Sequence, residues 1–219
     1  MTEIIPAILV KTEAEFRERF QKAEPLVSWV QLDVVDGKFA PNTTWGDPAV
    51  IAGLETSVKF EIDLMVVDVE RAVGQWLEAV PQVERIFFHY EALRKDTPKR
   101  EVFDLVTMIR ELGIEVGMSL NPETPADDLY QFVDELDAVL LLGVSPGFGG
   151  QKFQENVIKK VAQLREKFRN LSIEVDGGVS MENAKALAES GATRLAAGSF
   201  LFQHPKGPEA AIEELRNAL

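Results

Sequence analysis

Short apolar runs alternate with amphipathic, charged stretches along the whole chain. The runs predict strands at Ile4–Leu9, Trp29–Val34, Val58–Val66, Arg85–Tyr90, Glu115–Leu120, Ala138–Val144, Ser172–Asp176 and Arg194–Ser199. The helical spacing between them predicts helices at Thr12–Ala23, Pro48–Glu55, Val69–Val80, Pro98–Leu112, Pro125–Glu135, Asn156–Phe168, Met181–Ser190 and Pro208–Ala218. Some ends are marked. Ser180 stands before a helix with Glu182 and Asn183 in its first turn, and Gly191 follows it. Gly113 closes the helix before the fifth strand.

Strands in strict alternation with helices imply parallel pairing. Eight such units point to an α/β fold, a single closed (β/α)8 TIM barrel spanning residues 1–219 as one domain. The fallback is an open doubly wound sheet. That fold would carry a glycine-rich turn after its first strand, and Ala7-Ile8-Leu9-Val10-Lys11-Thr12 has no glycine.

Composition narrows the chemistry. The 219 residues are 46% hydrophobic and include no cysteine and two histidines. Disulfides, a thiolate zinc site and a cysteine nucleophile are excluded. A net charge of −13 argues against binding a nucleic-acid backbone. No run approaches the length of a membrane span, and the N-terminus lacks a basic leader, so the expectation is a soluble, cytoplasmic protein without a membrane partner.

In a barrel enzyme the chemistry sits at the C-terminal ends of the strands. Strand two ends Gln31-Leu32-Asp33-Val34-Val35-Asp36-Gly37, strand three Glu61-Ile62-Asp63-Leu64-Met65, and strand seven Glu174-Val175-Asp176-Gly177-Gly178. Carboxylates in apolar strands are costly to bury unless paired, protonated or bound to a cation. The plain alternative, that each only caps the next helix, weakens when three stand at matching heights. Glycines mark the neighbouring ends. Strand six runs into Ser145-Pro146-Gly147-Phe148-Gly149-Gly150-Gln151, strand seven into Gly177-Gly178 and strand eight into Gly198-Ser199. Such turns present backbone N–H groups to an anion, and three in succession favour a phosphate cradle over mere tight turns. His89 fits a site residue or a core histidine equally well, and His204 reads as surface. Lys59 lies about 13 Å from Asp63 along the strand, so Glu61 is its expected partner.

These segments resemble the ribulose-phosphate 3-epimerase family. The resemblance is carried by Leu32-Asp33-Val34-Val35-Asp36-Gly37-Lys38-Phe39-Ala40-Pro41-Asn42, by Pro146-Gly147-Phe148-Gly149-Gly150-Gln151-Lys152-Phe153, and by Ile173-Glu174-Val175-Asp176-Gly177-Gly178-Val179. Shorter matches at Pro6-Ala7-Ile8-Leu9, Phe88-His89-Tyr90-Glu91-Ala92, Leu120–Pro125 and Ala197-Gly198-Ser199 follow in family order. The resemblance implies a barrel of the ribulose-phosphate-binding type and a homo-oligomer. It implies an isomerase interconverting ribulose 5-phosphate and xylulose 5-phosphate through an enediolate. Asp33 and Asp176 would be the two acid/base groups. The phosphorylated sugar would rest on Gly147, Phe148, Gly149, Gly150, Gly177, Gly178, Gly198 and Ser199.

The chain departs from the family around the metal. The family holds a divalent ion with two His and two Asp. Here the two histidine positions read Gln31 and Asp63, while Asp33 and Asp176 remain. Family residues around the reaction centre read Ala7, Val35 and Leu142, with Met65 kept. One expectation is an all-oxygen site of Gln31, Asp33, Asp63 and Asp176, suited to Mg²⁺ or Mn²⁺ rather than zinc. The other is no metal, and then a weakly active or non-catalytic phosphosugar-binding protein, or an epimerase for a different sugar phosphate.

Overall fold

The computed structural model describes residues 2–79 and 81–219. Eight strands, β1 (Glu3–Ile8), β2 (Trp29–Val35), β3 (Lys59–Met65), β4 (Val83–His89), β5 (Glu115–Leu120), β6 (Ala138–Leu142), β7 (Ser172–Asp176) and β8 (Arg194–Ala197), pair in sequence order. Each neighbour is parallel, and β8 pairs back to β1 to close the barrel. The α-helices are α1 (Glu13–Ala23), α2 (Pro48–Ala52), α3 (Val69–Trp76), α4 (Pro98–Arg110), α5 (Asn156–Lys167), α6 (Ala184–Glu189), α7 (Ser199–Phe202) and α8 (Pro208–Ala218). Among the described residues no helix is long and apolar enough to cross a membrane.

Strand alternation divides the side chains into two environments. Outward residues such as Ile62, Leu64, Ile86, Phe88, Val139 and Leu141 pack beneath the helices and make the main core. Inward residues form smaller apolar groups, Phe87 with Ala138, Leu140 and Leu142, and Ile5 with Ala7, Ala196 and Trp29. Phe87 needs room that β5 supplies: a Cβ on Gly117 would lie 2.1 Å from its ring. The helices present apolar stripes at helical spacing. Phe16, Phe20 and Ala23 of α1 are buried, and Thr12 caps its start by accepting the Glu15 N–H.

The floor of the barrel is ionic. Arg85 Nη1 lies 3.0 Å from Glu61 Oε2, and Arg194 lies 3.2 Å from Glu61 and 3.3 Å from Glu174. The Trp29 ring lies under both guanidinium groups, at 5.0 and 4.5 Å. All four charged side chains are buried. Burial and then Glu61 hold the Glu174 carboxyl well above the usual range, against the pull of Arg194. Glu61 is therefore not the partner of Lys59. Lys59 reaches Glu84 at 2.8 Å, because Lys59 stays at the rim while the inward Glu61 meets Arg85 from the next strand.

Other expectations are corrected as well. The helix expected at Pro125–Glu135 is two 3₁₀ turns, Ala126–Leu129 and Val133–Glu135. Leu129, Phe132 and Val133 are buried at helical spacing, yet the segment closes as two tighter turns. The eighth strand stops at Ala197, and Ser199 opens the short α7. The helix expected from Met181 begins at Ala184, since Asn183 Oδ1 accepts the Ser180 N–H and folds the intervening residues into a turn. The third helix ends at Trp76 and continues as a 3₁₀ turn, Leu77–Ala79. Its expected end at Val80 lies outside the described residues.

Candidate active site

Asp33 and Asp63 are register partners on β2 and β3, and Asp176 ends β7. One carboxylate oxygen from each lies within 4.8 Å of the others, and all three residues are buried. Burial, then Asp176 and Asp63, push the Asp33 carboxyl well above the usual carboxylate range. Burial and then Asp63 raise Asp176 to about 7, although a hydrogen bond from Gln31 works against the rise. Two neighbouring carboxyls with raised pKa suit acid/base chemistry.

Asp63 is held from two further strands. Ser119 Oγ on β5 donates to its Oδ1 at 2.7 Å, and His89 Nε2 on β4 lies 3.4 Å from its Oδ2. On its other side, His89 Nδ1 lies 3.5 Å from Glu91 Oε2. Burial disfavours the charged imidazole, but Asp63 and Glu91 outweigh it and raise the pKa to about 9. His89 is thus fully buried, and the two carboxylates favour its charged form. His204 is not a free surface residue: its side chain is only 11% exposed, its ring is tilted against Phe200 at 5.7 Å, and it lies 3.3 Å from Glu214.

Gln31 donates from Nε2 to Asp33 Oδ1 at 2.6 Å, while its Oε1 is buried without a partner. The amide nitrogen, rather than the oxygen, faces the carboxylates. Turning the amide over would place an oxygen among them.

A cavity of about 250 Å³ opens above this cluster. Asp33 and Asp176 line it with Ala7, Met65 and Leu142, together with Gly147, Phe148, Gly149, Gly150, Gly177, Gly178, Gly198 and Ser199. The structure therefore gathers the expected acid/base pair and the expected glycine loops around one space. Asp63 and Gln31 are fully buried and do not line it. The glycines are of two kinds. Gly178 has φ +70° and a Cβ there would meet the Phe153 backbone, so turn and packing both require it. Gly149 has neither a left-handed φ nor any atom within 4 Å of a Cβ position. Gln151 Nε2 donates to the carbonyls of Ser145 and Phe148 at 2.7 and 2.8 Å. Peptide planarity then points the Gly149 N–H away from Gln151. The Asn42 amide donates to the Gly147 carbonyl and ties the loop after β2 to the loop after β6.

Sequence reasoning left His89 open and passed over Ser119 and Arg19. Ser119 had a signal: it is an inward polar residue in an apolar strand, in register with His89. Arg19, on the wall near Ser199, comes from a helix, and nothing in strand periodicity points to it.

A profile described as the ribulose-phosphate 3 epimerase family matches residues 3–202. The chain belongs to the ribulose-phosphate 3-epimerase family. It is 38% identical over 196 residues to the ribulose-phosphate 3-epimerase of Schizosaccharomyces pombe, covering 87% of this chain and 82% of that protein. It is 31% identical over 226 residues to the Bacillus subtilis ribulose-phosphate 3-epimerase, covering all of both. Among solved structures, a 3-hexulose-6-phosphate synthase aligns over the full length of both chains with a TM-score of 0.73 at 17% identity, a likeness of fold.

Proposed function

We propose that this protein is a carbohydrate-phosphate epimerase that interconverts ribulose 5-phosphate and xylulose 5-phosphate. The observation that carries the reading is that Asp33 and Asp176, both buried and both with raised carboxyl pKa, line the same cavity as the glycine loops. Inversion at a carbon beside a ketone needs one group to remove a proton and another to return it from the opposite face. Asp33 on β2 and Asp176 on β7 supply such a pair. One must enter ionised and the other protonated, and two carboxyls that repel each other favour this shared-proton state. The loops Gly147–Gly150, Gly177–Gly178 and Gly198–Ser199 hold the phosphate by backbone N–H groups and so set the distance from phosphate to reacting carbon. Met65 and Leu142 keep the reacting end apolar.

The residues present fit a hard divalent cation. Three buried carboxylates converge, and the orphaned Gln31 Oε1 offers a fourth oxygen after an amide turn. Asp33, Asp63, Asp176 and Gln31 would hold Mg²⁺ or Mn²⁺ in preference to zinc. Such an ion would stabilise negative charge developing on the substrate oxygens. We also place the enzyme in the cytoplasm as a homo-oligomer. The absence of cysteine fits a reducing compartment.

The test is turnover of ribulose 5-phosphate with solvent deuterium exchange at C3, after chelation and with Mg²⁺, Mn²⁺ or Zn²⁺ restored. Exchange that is greatest with Mg²⁺ or Mn²⁺ supports the reading. Tight binding with no exchange under any condition would leave only a phosphosugar-binding protein.

A further inference from the structure

The cavity carries a charge imbalance. Asp33 and Asp176 line it, and a phosphate monoester held by the glycine loops would bring up to two more negative charges. Among the described residues Arg19 is the only lysine or arginine on the cavity wall.

Arg19 is also an unspent cation. The other basic residues of α1 have acidic partners one turn back, Arg17 with Glu13 at 2.7 Å and Lys22 with Glu18 at 2.7 Å. Glu15 stands one turn back from Arg19 but accepts the Lys11 N–H at 2.7 Å. Among the described residues Arg19 makes one hydrogen bond, from Nη1 to the Leu9 carbonyl at 3.2 Å, and no ion pair. Its guanidinium lies 5.2 Å from the Phe202 ring centre. It is thereby fixed between the end of β1 and α7, the helix that follows Gly198. A guanidinium carries five N–H donors in a planar fork suited to phosphate oxygens.

We propose that Arg19 is a phosphate-binding residue: the one side-chain cation that complements the backbone cradle and selects a phosphate dianion over a neutral hydroxyl terminus. The inference deepens the reading of Gly147–Gly150, Gly177–Gly178 and Gly198–Ser199 as a phosphate cradle and rests on it. Leu9 and Phe202 orient the fork, and the backbone loops supply contacts without charge.

The experiment compares wild type with Arg19→Gln, Arg19→Lys and, as a control on the exposed face of the same helix, Arg17→Ala. Calorimetric titration with inorganic phosphate and steady-state turnover of ribulose 5-phosphate are both read. Gln can still donate to the Leu9 carbonyl and pack on Phe202, so it keeps the structural role and removes the charge. Arg19→Gln is expected to raise the phosphate Kd and the KM roughly 10- to 100-fold, with kcat falling far less. Arg19→Lys is expected to recover part of the loss, and Arg17→Ala to match wild type. Equal phosphate binding by Arg19→Gln and wild type would overturn the proposal. So would equal losses in Arg19→Gln and Arg19→Lys, or a wild type that binds no phosphate. If Arg19→Gln melts early, the Lys variant decides by itself, since binding near the wild-type level requires the charge alone. A wild type that binds phosphate in this charge-dependent way but turns over no ribulose 5-phosphate would refute the epimerase reading and leave Arg19 assigned.

Discussion

His89 Nε2 lies 3.4 Å from each carboxylate oxygen of Asp63, inside the fork of the acid. Both side chains are completely buried. The opposite ring nitrogen faces Glu91, which itself accepts from Asn121 N at 2.8 Å and from Thr124 Oγ1 at 2.5 Å. The two anchored carboxylates favour the charged form of the imidazole between them. His89→Ala is expected to destabilise the fold by about 3–5 kcal/mol, because the removal leaves Asp63 buried without its cation. Urea unfolding measures this. A loss below about 1 kcal/mol would show that Ser119 and the surrounding dipoles already hold Asp63.

The acid/base pair trades stability for chemistry. Asp33→Asn and Asp176→Asn should each lower turnover about 10²- to 10⁴-fold. Each also removes one carboxylate from a mutually repelling buried set, so unfolding free energy should rise by about 0.5–2 kcal/mol. Steady-state kinetics and thermal melting read the two effects separately. A less stable Asp176→Asn would mean that hydrogen bonds to the carboxylate outweigh the repulsion.

A cation held by Asp33, Asp63 and Asp176 must stabilise the folded state. Mn²⁺ or Mg²⁺ added to chelated protein at 100 times its Kd should add about 2.7 kcal/mol. Calorimetric melting detects the shift, and Asp63→Ala should diminish it. Melting that ignores Mg²⁺, Mn²⁺ and Ca²⁺ alike would dismiss the all-oxygen site.

Gly117 yields its place to Phe87, whose Cδ1 lies 2.1 Å from a Cβ built on the glycine. Gly117→Ala should cost about 1–3 kcal/mol through overpacking. Pairing it with Phe87→Leu should return part of that loss. Denaturant midpoints of the single and double variants test the coupling, and additive losses would argue against direct contact.

Asp36 makes the loop after β2 sensitive to acid. Burial raises its pKa, but N–H groups of Phe39, Val67 and Lys38 donate to the carboxylate and lower it overall. A depressed pKa contributes stability above the unfolded value near 4 and loses it as pH falls through the folded value. Wild type should therefore weaken relative to Asp36→Asn only at acidic pH below about 4. Unfolding free energies at neutral and acid pH compare the two, and a pH-independent difference would remove Asp36 as the cause.

Much of the site was readable because strand periodicity and turn chemistry are local. Asp33, Asp63 and Asp176 share inward positions at strand ends, and the structure brings them together. The loops at Gly147–Gly150, Gly177–Gly178 and Gly198–Ser199 likewise meet at one cavity. What escaped was pairing between strands. Lys59 and Glu61 share a strand, yet their ion partners, Glu84 and Arg85, lie on the next one. The segment Pro125–Glu135 has helical spacing at Leu129, Phe132 and Val133, yet it folds as two tighter turns.

The order of strands and helices and the closed barrel followed from the sequence alone, because both depend on residue type and spacing. The tertiary structure decided the rest. It put His89 in the fork of Asp63, turned the Gln31 amide nitrogen toward Asp33, and brought Arg19 of α1 to the cavity wall. These are distances between segments far apart in the chain, and barrel closure, not local pattern, sets them.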